Sequence, residues 1–228
     1  MTDLSILIPV LRRPENAARQ VDDIAAATEG DYEIVFITTA TDVEECRAVD
    51  FLRATEAPRV KHLSINPNTV GDYAKKINFA VRNTTSRWLF TGADDLHFHS
   101  GWFPHAVLAS ASTGCRVIGT QDLGNRRVMK GEHSTHSLVD RSYIDELGTI
   151  DQRGKLLHEG YVHEFVDDEF VETARHRDEF VFAWNSIVEH LHPLWGKAPT
   201  DALYDGHRKR MNLGRRVYTK RKPLWTSR

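Results

Sequence analysis

Cysteine is scarce: Cys46 and Cys115 are the only two in 228 residues, too few and too isolated for a disulfide framework or a thiolate metal site. No apolar run approaches the ~20 residues that a bilayer-spanning helix needs. The apolar run in the opening MTDLSILIPV is too short for one, and Asp3 stands where a secretion signal carries Lys or Arg. The expected location is therefore the cytoplasm, with no membrane partner. Two phosphate-binding loops are also missing. No G-x-G-x-x-G follows the first apolar run, and G-x-x-x-x-G-K-[ST] occurs nowhere. A diphosphate ligand would then have to be held by a divalent cation pinned on carboxylates.

What is present is an alternation of strand and helix signals. Apolar runs at Leu4–Val10, Tyr32–Thr38, Val60–Ile65, Trp88–Thr91 and Cys115–Thr120 read as five strands. Between them lie helical stretches. One opens at Pro14 with Ala17, Ala18, Val21, Ile24 and Ala25 at helical spacing. Another begins with the capping box Thr41-Asp42-Val43-Glu44. A third runs from about Gly71 to Asn83, and a fourth from Trp102 to Ser112. This rhythm predicts an α/β fold, a mostly parallel sheet flanked by helices, with ligands at the carboxyl ends of the strands. After Gln121 the sequence turns polar and irregular, with a helix near Glu164–Arg175 and an apolar run Phe180–Trp184. The predicted organisation is one domain over 1–204, its halves 1–120 and 121–204, followed by a basic tail over 205–228.

Three clusters bear chemistry. Asp94 and Asp95 sit where the fourth strand ends, inside WLFTGADDLHFHSGW, as hard oxygen ligands for Mn2+ or Mg2+. Asp167 and Asp168, in HEFVDDEF, are placed for general-base work or for complementing a helix dipole. His190 and His192, in VEHLHPLWGK, share one side of an extended segment and could supply a later metal ligand. His97 and His99 raise a zinc-like alternative with Asp95, although catalytic zinc recruits better-separated ligands.

The order of these pieces resembles glycosyltransferase family 2, enzymes of the GT-A (Rossmann-like) fold. LSILIPVLRRPE is similar to that family's first strand and loop, KKINFAVRNTTSRWLFTGADD to its helix-to-strand passage ending in the D-x-D region, and HEFVDDEF to its acidic acceptor-side motif. The resemblance runs over roughly residues 4 to 185. It implies a nucleotide-sugar-binding first half and an acceptor-side second half. Asp95 would then hold the metal, Asp94 would contact ribose or assist the metal, and His192 would be the further metal ligand. Asp167 would be the base of an inverting transfer, with Asp168 in reserve. Pro9, Val10, Leu11 and Arg12 would line the nucleobase, and Asn66, Lys75, Lys76 and Asn78 would contact base and phosphates. Two departures stand out. Gly92 replaces a frequent further Asp, and Thr38 or Thr39 stands where an Asp reads the base, so a UDP-sugar donor is favoured without being fixed.

From Asp205 onward lie nine of the chain's 30 Lys and Arg but only one of its 32 acids. These cations, interleaved with Tyr218 and Trp225, suit a nucleic-acid backbone with occasional base stacking. The expected acceptor is accordingly a hydroxylated base in DNA, as in small phage-type glycosyltransferases. Two competing classes are a non-catalytic nucleic-acid-binding module, which needs only the tail, and a sugar nucleotidyltransferase. The latter should carry G-x-G-T-[RK] after its first strand, and LRRPEN is not that.

Overall fold

The computed structural model describes residues 2–56, 59–67, 72–200 and 207–226. Strand β1 (Leu4–Pro9) lies between β2 (Tyr32–Thr39) and β4 (Trp88–Thr91), and β3 (Val60–Ile65) flanks β2, all four parallel. Buried side chains alternate across the sheet. Leu4, Ile6 and Ile8 face one core with helices α1 (Pro14–Ala27) and α2 (Val43–Thr55), whereas Leu7 faces a second core with α3 (Asp72–Arg82). Burial on both faces explains why these strands read as near-continuous apolar runs.

Beyond β4 the order continues β7 (Ser137–Asp140), β6 (Val117–Gln121), β8 (Phe180–His190) and β5 (Leu96–Phe98). The expected sheet flanked by helices is found, and among the described residues four of its seven strand pairings are parallel. The pairs β4–β7, β6–β7 and β5–β8 are antiparallel, so the eight-stranded sheet is mixed. Strands β5 and β7 escape a reading by periodicity because each is only three or four residues long. Strand β8 is longer than its apolar start suggests. It runs parallel to β6 from Phe180 to Ala183, breaks register between Thr120 and Gln121, and then pairs antiparallel with β5 at Val188, Glu189 and His190.

Helix α4 (Trp102–Thr113) packs on β6 and β8, and α5 (Arg141–Glu146) follows β7. Trp102, fully buried, makes an edge contact with Phe90 and a tilted one with Phe98, and donates from Nε1 to Thr28 Oγ1 at 2.9 Å. Helix α6 (Val166–His176) starts two residues later than expected and puts Asp167, Asp168 and Glu169 in its first turn, where the dipole favours acids.

The basic terminus is not a loose tail over its described part. It forms α7 (His207–Arg221) and α8 (Pro223–Thr226), packed against α6. Gly214 makes this possible, since a Cβ there would meet Glu164 O at 2.5 Å. Tyr218 donates to Glu172, Trp225 is 2% exposed with Nε1 on Glu172, and Arg221 pairs with Glu169 and Asp151. Both aromatics assigned to base stacking are therefore part of the protein's own packing. Gly71, Asp205 and Arg228, landmarks of the sequence reading, lie outside the described residues.

Candidate functional site

The loop after β1 is anchored from α2. Arg12, at φ 56°, donates its amide to Asp42 Oδ2 at 2.8 Å, and the Arg13 amide donates to Glu45 Oε2 at 2.8 Å. This aims the Arg13 side chain at the end of β4. Its Nη1 lies 3.3 Å from both Asp94 Oδ1 and Asp95 Oδ2. Behind the pair, Gly92 donates to Leu7 O at 2.8 Å, and a Cβ at Gly92 would sit 2.9 Å from that oxygen. No side chain fits there, which accounts physically for the missing earlier Asp.

On the other side His190 Nε2 lies 3.2 Å from Asp95 Oδ1. His192, the expected further metal ligand, lies beside it, the two rings 4.9 Å apart. The β5–β8 register sets His190 opposite Leu96, next to Asp95, whereas His192 Nδ1 accepts from the Leu194 amide at 3.1 Å. The carboxylates respond unequally. Burial and the neighbouring Asp95 charge push Asp94 up. Burial also opposes ionisation of Asp95, but the His190 bond and charge together with Arg13 outweigh it and hold Asp95 below the usual carboxylate range.

The second acidic pair opens α6. Asp167 Oδ2 lies 3.0 Å from His133 Nε2, and Asp168 Oδ1 accepts from Arg127 at 2.6 Å. His133, Asp167 and Asp168 present ligating atoms within 4.8 Å of one another, a group able to hold a cation. Tyr73, His136 and His190 each feel the charge of both Asp95 and Asp167, so the two acidic pairs lie around a common set of side chains. Tyr73 donates to Gly92 O at 3.2 Å. His136 Nδ1 donates to Thr91 O at 2.7 Å, and burial with the nearby His190 pushes its pKa down to about 4.

The other predicted residues divide into linings and supports. Val10 is buried, and its carbonyl accepts from Lys76 Nζ at 2.9 Å, which also pairs with Asp72. Lys76 is 1% exposed and braces the first loop from beneath, a different task from meeting phosphate at a surface. Asn78 has its whole amide occupied. It donates to Leu157 O and Glu159 and accepts from the Leu156 and Leu157 amides. It ties α3 to the irregular 156–159 segment. Thr38 Oγ1 is shared with His62 Nε2 and Cys46. Thr39 Oγ1 is buried without a partner among the described residues, whereas Pro9 and Lys75 are half-buried and Asn66 is exposed past β3. Sequence reasoning missed Arg13, His133 and His136 as site members, and it named His190 but preferred His192. For His190 the signal was the alternation it shares with His192. The other three depend on contacts between distant segments.

No family model matches the chain, and no curated relative matches it. Among solved structures it resembles the Pyrobaculum calidifontis mannosyltransferase in complex with GDP-Man and Mn2+, with TM-score 0.68 and 14% identity over 91% of this chain and 60% of that one. Residues 1–349 of S. aureus TarS in complex with UDP give 0.63 and 11%, over 82% of this chain and 59% of that one. Glucosyl-3-phosphoglycerate synthase from Mycobacterium tuberculosis, with Mn2+, UDP and phosphoglyceric acid, gives 0.62 and 14% over 96% and 78%. The chain thus spans about three fifths of the length of the first two. At such identities the likeness is one of fold: the chain has the GT-A fold, the fold of these glycosyltransferases.

Proposed function

We propose that this protein is a divalent-cation-dependent, inverting glycosyltransferase that moves a sugar from a nucleoside-diphosphate sugar to a hydroxyl acceptor. The observation that carries the reading is the Asp94–Asp95 pair at the end of β4, bridged by Arg13, with His190 on Asp95 and feeling the Asp167 charge as well. The residues fit a metal. A positive group, the Arg13 guanidinium, already lies 3.3 Å from both carboxylates. Carboxylate oxygen with imidazole nitrogen suits Mn2+ better than an all-oxygen ion such as Mg2+.

Asp95 and His190 would hold the cation, and Asp94 would contact the ribose. When bound, the cation offsets the charge that builds on the leaving diphosphate. Asp167 takes the proton of the attacking hydroxyl. Pro9, Val10, Arg12, Thr38, Thr39, Asn66 and Lys75 would line the nucleotide, with a UDP-sugar as the first donor to test. Thermal shift with UDP-glucose and GDP-mannose, with and without Mn2+, checks this directly. One nucleotide-sugar should stabilise the protein only with the metal, by about 2.7 kcal/mol at a hundred times its Kd. No response to any nucleotide, with a shift from DNA alone, would favour the nucleic-acid-binding module.

For the acceptor, the supporting observation is the outer face of α7, where Arg208, Lys209, Arg215, Arg216 and Lys220 are exposed and no acid is present. Without Tyr218 and Trp225 to stack on bases, that face offers phosphate contacts only. DNA carrying a hydroxylated pyrimidine is the acceptor we propose. Combining Arg208→Ala, Lys209→Ala and Arg216→Ala should make the log–log salt slope of duplex binding shallower by about 2–3. Transfer to free sugars or lipids, with none to such DNA, removes this acceptor.

A further inference from the structure

The loop between β6 and β7 treats two adjacent acids in opposite ways. His133 is 3% exposed, with Nε2 3.0 Å from Asp167 Oδ2. An ionised carboxylate only accepts, so Nε2 carries the hydrogen. Arg127, from the same loop and 51% exposed in its side chain, draws Asp168 Oδ1 toward itself at 2.6 Å. The loop is tightly self-bonded. The Met129 amide donates to Asn125 O, that of Gly131 to Val128 O and that of Glu132 to Arg127 O. Arg175 of α6 donates to Gly131 O. On the far side of His133, Ser134 Oγ accepts from the Thr120 amide and donates to His136 O. His133 is therefore pinned at both ends of its own short segment.

We propose that His133 is a positioning residue that makes Asp167, rather than Asp168, the general base of the transfer. This rests on the glycosyltransferase reading of the site. With Oδ2 held by His133, Oδ1 remains to receive the proton. The acceptor O–H bond breaks as its oxygen bonds to the anomeric carbon, the proton passes to Asp167 Oδ1, and the electron pair of the old anomeric C–O bond leaves with the diphosphate. The electrostatics agree. Burial disfavours ionised Asp167, but the His133 bond and charge prevail and hold it below the usual carboxylate range. Asp168 is pushed up by burial and by the Asp167 charge. The charged and titratable groups around the pair include His133, Arg127, Tyr73, His136 and His190, with Glu172 and Tyr218 on the α6–α7 side.

The test uses the full chain and nucleoside-diphosphate release from UDP-glucose and GDP-mannose with Mn2+. His133→Ala should lower kcat by about a hundredfold, the scale of a misplaced reacting group, with KM for the donor unchanged. His133→Gln, which keeps an N–H donor and guards against a folding defect, should recover most of the loss. Because the base must be ionised and His133 keeps its pKa low, His133→Ala should also move the acid limb of the kcat/KM profile to higher pH. A second arm needs no turnover. The His133 imidazole, followed by NMR, should titrate lower in Asp167→Asn and change less in Asp168→Asn. Equal response to both substitutions, or full activity in His133→Ala beside a dead Asp167→Asn, overturns the proposal. So does Mn2+ binding that survives Asp95→Asn and disappears with His133→Ala, which would make the trio a metal site. An active Asp167→Asn instead removes the base assignment itself.

Discussion

Asp95→Asn should abolish the Mn2+-dependent part of nucleotide binding and cut turnover by at least about a hundredfold, because outer-shell partners of a metal alone are worth 10–100-fold. The substitution keeps the side chain's shape and leaves the backbone that positions it untouched. The β5–β8 ladder and the Leu191 amide bond to Asp95 O do not depend on the side chain. What it removes is the negative charge shared by Arg13 and His190. His190, whose pKa stands above the ordinary value because of Asp95 and in spite of burial, should then titrate lower. Isothermal titration with Mn2+ and a nucleoside diphosphate checks the first effect, and histidine NMR the second. Unchanged manganese affinity together with unchanged turnover would reduce the acidic doublet to a turn.

Trp102→Ala should be the most destabilising single change near the site. The indole is fully buried against Phe90, Phe98 and Phe103, and its Nε1 satisfies Thr28 Oγ1. Aromatic-to-alanine changes in cores cost about 3–5 kcal/mol. At roughly 2–4 °C per kcal/mol for a chain of this size, the melting temperature should fall by roughly 6–20 °C. Trp102→Phe, which refills most of the volume and loses only the hydrogen bond, should cost less. Calorimetry on the three proteins decides the matter. A shift of a degree or two for the alanine variant would mean that the cluster relaxes around the gap. Since Phe98 lies in β5 and Trp102 opens α4, the variant should also loosen the segment that leaves Asp95.

The parallel half of the sheet was legible in the sequence because β1, β2 and β4 are buried on both faces and announce themselves as apolar runs. The acidic doublets were legible because carboxylates at a strand end and in a helix's first turn are local patterns. Their partners were not. Arg13 reaches Asp95 across 82 positions and His190 across 95, through a loop anchored on α2 and a strand that changes neighbours midway. Nothing in LRRPEN or VEHLHP alone encodes those meetings. The tail misled for a related reason. Alternating cations and aromatics look alike whether the rings face solvent or, as with Trp225, fill a hollow against α6.

Strand β8 joins the two kinds of pairing, parallel to β6 at its start and antiparallel to β5 at its end. Because His190 arrives only through that final hairpin-free pairing, a cation held by Asp95 and His190 would find both ligands only after the long-range contacts of the chain have formed. Metal affinity should therefore be a late and global signature of folding, absent from any compact intermediate that has assembled only β1 to β4. Manganese quenching of tryptophan fluorescence during refolding would follow the slowest topological step rather than collapse.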